Sequence, residues 1–221
     1  KPSSAASDVY KRQDEGIYIR SMATRGHLGG LSLATPQAIR VLDALGWPWI
    51  VIETVGVGQV EVEIAGAADT TVVVVNPGWG DAVQANKAGL MEVADIFVIN
   101  KSDRKGADDT RRDIQQMLEL SSLGNWEPPI IMTIATDDVG ADQLWESVLE
   151  HRSHLLESGD LAERRAQRIQ AELEEIVSRS LDQLIGIVME RPEALELKSK
   201  MKSGEIDPYD AAKRLIDLAI D

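Results

Sequence analysis

Residues 96–103 read IFVINKSD. The run is apolar and β-branched with no polar alternation, which marks a strand buried on both faces, as in a parallel sheet covered by helices. Asn100, Lys101, Ser102 and Asp103 then follow the apolar run at once. They fall on a loop at the carboxyl end of that strand.

Three similar runs flank it: 49–53 (WIVIE), 70–76 (TTVVVVN) and 129–135 (PIIMTIA). The segments between them have helical length and helical signals. Thr35 followed by Pro36 reads as an N-cap with proline in the first helical position, and Gly46 closes that helix after Leu45. Asp81 with Gln84 three residues later forms a capping box before QANKAGLMEVA. Strand and helix in alternation predict an α/β fold, a doubly wound and mostly parallel sheet, whose ligands bind at the carboxyl ends of the strands.

After about residue 156 the pattern turns wholly helical. A long charged helix is expected over 161–190, interrupted by Pro192 and followed by helices over 193–202 and 208–220. Leu173, Ile176, Val177, Leu181, Leu184, Ile185 and Val188 recur at helical spacing and form an apolar stripe. Such a stripe packs on its own domain or pairs with a second chain, and a helix this long favours a homodimer. The expected division is therefore a tail or scar over 1–13 (KPSSAASDVYKRQ), an α/β domain over 14–156 and a helical dimerisation region over 157–221.

Composition narrows the function classes. With 37 acidic against 23 basic residues the net charge is −14, which argues against a nucleic-acid surface built on clustered Lys and Arg. The absence of cysteine excludes disulfides, thiolate ligation and a cysteine nucleophile. No apolar run approaches the roughly 18 residues of a membrane span, so a soluble, cytoplasmic protein is expected. His151 and His154 stand three apart on a helix, but two ligands do not make a metal site.

The chemistry concentrates at strand ends. A carboxylate at Asp103 accepts both the ring N–H and the exocyclic amine of guanine, a donor pair that adenine lacks, while Asn100 and Lys101 brace the loop and cover the ring. Thr133, Ile134 and Ala135 end the last strand, where a backbone N–H at Ala135 meets the guanine oxygen. The alternative for each is a polar turn or a plain strand end. Glu53 ends WIVIE with Gly56 three residues on. A carboxylate there holds a magnesium-bound water, and Gly56, Gly58 and Gln59 form a loop able to approach a γ-phosphate. The alternative is a glycine-rich turn with a solvated Glu53.

The stretches YIRSMATRGHLGGL, IETVGVGQVEVEIA and NPGWGDAVQANKAGLMEVADIFVINKSD resemble the methylmalonyl-CoA mutase-associated GTPases of the MeaB or ArgK type, a group of P-loop GTPases. The resemblance runs from Asp14 to the C-terminal helices. It implies magnesium-dependent binding and hydrolysis of GTP to GDP, coupled to loading or protecting adenosylcobalamin in a partner acyl-CoA mutase. It places Asp14 and Glu53 in the magnesium environment, and Arg20, Arg25 and His27 in or near a first switch. It places Gly80, Asp81, Gln84 and Lys87 in a third switch facing the mutase. For Arg25 to His27 a surface turn stays open, as does simple helix capping for Asp81.

One motif is missing. The family requires G-x-x-x-x-G-K-[ST] ahead of the first switch to cradle the phosphates, and no stretch of the 221 residues matches it. Truncation upstream of Asp14 is the expected reason, so the chain by itself should bind nucleotide weakly and hydrolyse little. Two other classes stand beside the mutase chaperone. A GTPase delivering nickel or cobalt would be expected to carry a Cys or His cluster, and the chain has no Cys and three His. A nucleotide-independent helical interaction module is the other. The transport-kinase label attached to ArgK-type proteins finds no phosphoacceptor here.

Overall fold

A computed structural model describes residues 16–22, 34–54, 66–78, 93–120 and 124–220. Two compact units divide the chain, residues 1–162 and 163–221.

In the first unit, helix α1 (Thr35–Ala44) starts one residue earlier than its polar sequence suggests. Ala34 is the N-cap, and Thr35 is already helical and buried, its hydroxyl directed at the Met22 sulfur. Burial, not capping, is what the threonine is used for. At the other end the Leu45 N–H donates to Val41 O and the Gly46 N–H to Asp43 O, closing the helix where the sequence places its stop.

A three-stranded sheet follows, in the order β1 (Val72–Val75), β2 (Ile96–Asn100), β3 (Ile130–Thr133). Both pairings are parallel. Each strand is a trimmed version of its apolar run, and β2 is buried from Ile96 to Val98 and through Ile99. Helix α2 (Ala107–Glu119) joins β2 to β3, as a parallel crossover must. Phe97 and Ile99 meet Val75, Ala94, Ala107, Ile114, Met117 and Leu118 in one core cluster. Ile96 and Val98 point to the opposite face and are equally buried. Among the described residues, helix α3 (Ala141–Ser158) also packs on β2 and β3. Cover on both faces explains why β2 shows no polar alternation.

Residues 49–53 do not form the strand expected of WIVIE. They are irregular and make no ladder with any described residue, and Val51 is 89% exposed. A strand is a property of a pair: β-branched composition permits extension, but only a neighbouring backbone at ladder distance makes it a strand. What holds the segment is aromatic. Trp49 meets Trp145 of α3 edge to face at 4.6 Å, with the Arg152 guanidinium 5.7 Å from its ring.

Helix α4 (Asp160–Met189) runs through the boundary into the second unit, which also holds α5 (Pro192–Lys202) and α6 (Pro208–Ile220). Pro192 does more than interrupt: it opens α5 at the first helical position. Asp207 caps α6 by accepting the N–H groups of Tyr209 and Asp210 at 2.8 and 3.0 Å. The unit closes around Val188, Ala194, Leu197 and Ala211. Two cations tie its helix ends together, Arg191 Nη1 donating to Leu218 O at 2.7 Å and Lys198 Nζ to Met189 O at 3.1 Å. Among the described residues no helix is long and apolar enough to cross a membrane.

Candidate functional site

The parallel register sets Asn100 directly beside Thr133. The loops leaving β2 and β3 therefore emerge together at the carboxyl edge of the sheet, and their contacts begin at once.

Asn100 is the hub. Its side-chain oxygen accepts the Lys101 N–H at 2.8 Å, the Thr133 hydroxyl at 3.3 Å and the Ala135 N–H at 3.1 Å. Three donors saturate an amide oxygen, which has two lone pairs, and this fixes which end of the amide is oxygen. The Nδ2 donors are thereby turned away from the brace. The backbone adds Ser102 N–H to Thr133 O at 3.0 Å and a turn from Arg104 N–H to Lys101 O at 3.0 Å.

Lys101 sits at φ 59°, in the left-handed region that a non-glycine residue enters at a cost of about 1–3 kcal/mol. Its N–H bond to Asn100 offsets that cost and turns the chain sharply. Lys101 and Asp103 end up exposed on the loop, beside exposed Ala135. The side chains expected to read a base are thus brought together: an acceptor carboxylate at Asp103, a cation at Lys101, an amide at Asn100 and a backbone N–H at Ala135. Thr133 joins them as a brace. Its place in the strand end is legible, but its hydroxyl bond to Asn100 becomes visible only with the register.

The second loop is itself clamped. Ile134 and Val139 form an isolated antiparallel bridge, with N–H to O distances of 3.0 and 3.3 Å, and the Asp137 N–H closes a turn on Ile134 O at 3.0 Å. Gly140 then starts α3.

The remaining candidates divide. Glu53 is described and exposed, at the end of the irregular 49–53 segment; Arg20 is exposed in the irregular stretch 16–22. Asp14, Arg25, His27, Gly56, Gln59, Gly80, Asp81, Gln84 and Lys87 lie outside the described residues. A magnesium ion takes hard oxygen ligands, usually with one or two carboxylates. The described residues offer Glu53 and no group of three or more His, Cys, Asp or Glu able to hold a metal. They do not by themselves make the site, and no chemical step is routed through it.

His151, weighed above only as half of a metal pair with His154, has another role. Its ring is fully buried at the amino edge of the sheet, with Nδ1 2.9 Å from the Thr70 hydroxyl and Nε2 3.3 Å from Asp95 Oδ1. The second contact is a close approach without hydrogen-bond geometry. Trp126 lies against both imidazoles, at 4.8 and 5.2 Å, and its indole N–H donates to Asp95 O at 2.8 Å. Separation along the chain hides this cluster from sequence patterns.

The chain was compared with known proteins. Residues 8–190 match the model of the family described as methylmalonyl Co-A mutase-associated GTPase MeaB. A Pyrococcus abyssi relative, provisionally named as a GTPase, is 50% identical over 208 residues, covering 92% of this chain and 64% of that protein. The Escherichia coli protein named GTPase ArgK is 35% identical over 161 residues, covering 70% of this chain and 48% of its own length. The chain thus spans less than two thirds of either relative. A crystal structure titled LAO/AO transport system kinase superposes with a TM-score of 0.58 at 23% identity, over 84% of this chain and 62% of that one, and shares the fold. With most of its length inside the matched model, this chain belongs to the MeaB family of methylmalonyl-CoA mutase-associated GTPases.

Proposed function

We propose that this chain supplies the base-reading part and switch elements of a GTP-binding and GTP-hydrolysing protein that assists an acyl-CoA mutase using adenosylcobalamin. The observation that carries the proposal is the brace at Asn100. One side-chain oxygen gathers three donors from two adjacent loops and so holds Asp103, Lys101 and Ala135 as a preformed surface at the carboxyl edge of the sheet. Guanine matches it, with two N–H donors for Asp103, an oxygen for the Ala135 N–H and a ring nitrogen for the Asn100 amide. Adenine presents an amine where the oxygen is needed. Magnesium, Glu53 and the loop containing Gly56 and Gln59 belong to the phosphate end of the same proposal, as do Asp14 and the switch residues Arg20, Arg25, His27, Gly80, Asp81, Gln84 and Lys87.

Phosphate binding is where the chain falls short. Without a G-x-x-x-x-G-K-[ST] stretch in the 221 residues, the tightest anion contacts of a P-loop protein are missing. The chain should discriminate bases while binding weakly, and should hydrolyse little GTP.

Association through α4 completes the proposal. Leu173, Ile176, Val177, Leu181 and Ile185 of the apolar stripe are each about half exposed on the chain alone, whereas Val188 is buried. A continuous apolar strip on a 30-residue helix is best covered by a second copy.

Two measurements test this. Titration of the chain with GDP and ADP, observed on the ligand by NMR, should favour GDP, and Asp103→Asn should shift preference toward a xanthine nucleotide, whose second carbonyl suits an amide donor. Copurification of an acyl-CoA mutase should depend on GTP. Equal affinity for GDP and ADP would overturn the base-reading role, and nucleotide-independent capture would favour an interaction module.

A further inference from the structure

Gly140 lies outside every motif considered so far, yet its surroundings are tight. A Cβ built on it would stand 2.3 Å from Met132 O, 3.1 Å from Thr133 Cγ2 and 3.3 Å from Met132 C, and its φ is +82°. Backbone atoms at such distances leave no room for a side chain. Gly159, at the other end of α3, has nearly the same φ of +85° and nothing within 4 Å of its built Cβ. The two glycines thus meet the same conformational requirement, but only Gly140 is also needed for close approach.

What Gly140 approaches is the end of β3. Met132 and Thr133 are the last residues before the loop carrying Ala135, and the bridge between Ile134 and Val139 ties Gly140's neighbour back to the same place. Thr133 Oγ1 and Ala135 N supply two of the three donors on Asn100. A side chain at position 140 would have to push the 134–139 hairpin off the strand end. The Ala135 donor would move with it.

We infer that Gly140 is a positioning residue for base selection: its lack of a side chain lets the 134–139 hairpin seat against β3 and sets the Ala135 N–H where a guanine oxygen can share it with Asn100. This rests on the proposed guanine site. Gly140 touches no ligand and acts through Met132 and Thr133. Its signature is therefore loss of discrimination at the purine 6-position, where guanine carries an acceptor and adenine a donor, with little change in the remaining contacts.

The test uses the full 221-residue chain, with GDP and ADP as probes in ligand-observed NMR titrations and circular dichroism to confirm folding. Gly140→Ala should weaken GDP by roughly tenfold, the worth of one well-placed hydrogen bond, and leave ADP unchanged. Gly159→Ala carries a similar backbone penalty and should keep the parental preference. Should Gly140→Ala fail to fold, Gly140→Asn tolerates positive φ better while carrying the same Cβ, and should lose the preference equally. Gly140 variants that fold and keep the parental GDP to ADP ratio overturn the inference, and so does an equal loss of preference in Gly159→Ala. Asp103→Ala separates the two levels. If the parent prefers GDP and Asp103→Ala abolishes this while Gly140→Ala does not, the guanine site stands and the role of Gly140 falls; a parent without preference sinks both.

Discussion

Replacing Asp95 by alanine should destabilise the first unit without touching the proposed nucleotide site, because that carboxylate closes the amino edge of the sheet. Asp95 Oδ2 accepts the Thr71 N–H at 2.8 Å, just ahead of β1, and Oδ1 faces His151 Nε2 at 3.3 Å. The Asp95 and Ile96 N–H groups in turn donate to Thr71 O at 2.9 and 3.1 Å, so the starts of β1 and β2 are laced together here. Removing the carboxylate deletes a charge-assisted hydrogen bond to the Thr71 N–H, about 1.5–3 kcal/mol, and with it the close approach to the buried His151 ring. We expect a loss of about 2–3 kcal/mol. Asp95→Asn keeps an acceptor for Thr71 and loses only the charge, so it should cost about 1–2 kcal/mol. Urea denaturation followed by tryptophan emission is suited to the measurement, since all five tryptophans precede residue 163 and report on the first unit without the helical one. A loss below about 1 kcal/mol for Asp95→Ala, or equal losses for alanine and asparagine, would refute the assignment of a charged clamp.

Other perturbations probe separate parts of the molecule. Ile114 is fully buried in the cluster under β2, and Ile114→Ala should cost about 2–5 kcal/mol in the same urea assay, from lost burial together with the cavity left behind. Leu181→Asp, on the exposed stripe of α4, should convert the proposed dimer to a monomer in sedimentation while circular dichroism stays unchanged; a parent that sediments as a monomer, or an unaltered sedimentation coefficient, would rule out that face. Lys200, one turn along α5, holds the Glu196 carboxyl below its ordinary value through a 2.6 Å hydrogen bond and its charge. A depressed carboxyl stabilises the folded state above its unfolded pKa, and the contribution disappears as pH falls through the folded value. The parent and Glu196→Gln should therefore differ in thermal stability at neutral pH and low salt, and converge in acid or in high salt. A difference that persists in acid would contradict the pairing.

The part of the fold that was legible is the part whose cause is local. Residues 96–99 are apolar because helices cover both faces of β2, and the polar residues that follow lead out of the sheet, so IFVINKSD discloses strand and loop together. WIVIE carries the same composition without the same outcome. Composition records what a segment tolerates, while a ladder needs a second backbone, and no described residue offers one to 49–53. The site divides along the same line. Asn100, Lys101, Asp103 and Ala135 are candidates from the sequence because residue type and strand-end position suggest their chemistry, and the fold sets them on neighbouring strand ends. The bonds from Thr133 and Ala135 onto Asn100 depend on the register of β2 against β3, and the value of an empty position at Gly140 depends on where Met132 O lies. A side chain that acts by its chemistry leaves a trace in sequence; a glycine that acts by making room does so only in the assembled fold. For this reason the proposed base-reading surface is two loops held by one amide oxygen, and the proposal ties its selectivity to the close approach behind Ala135 as well as to the carboxylate in front.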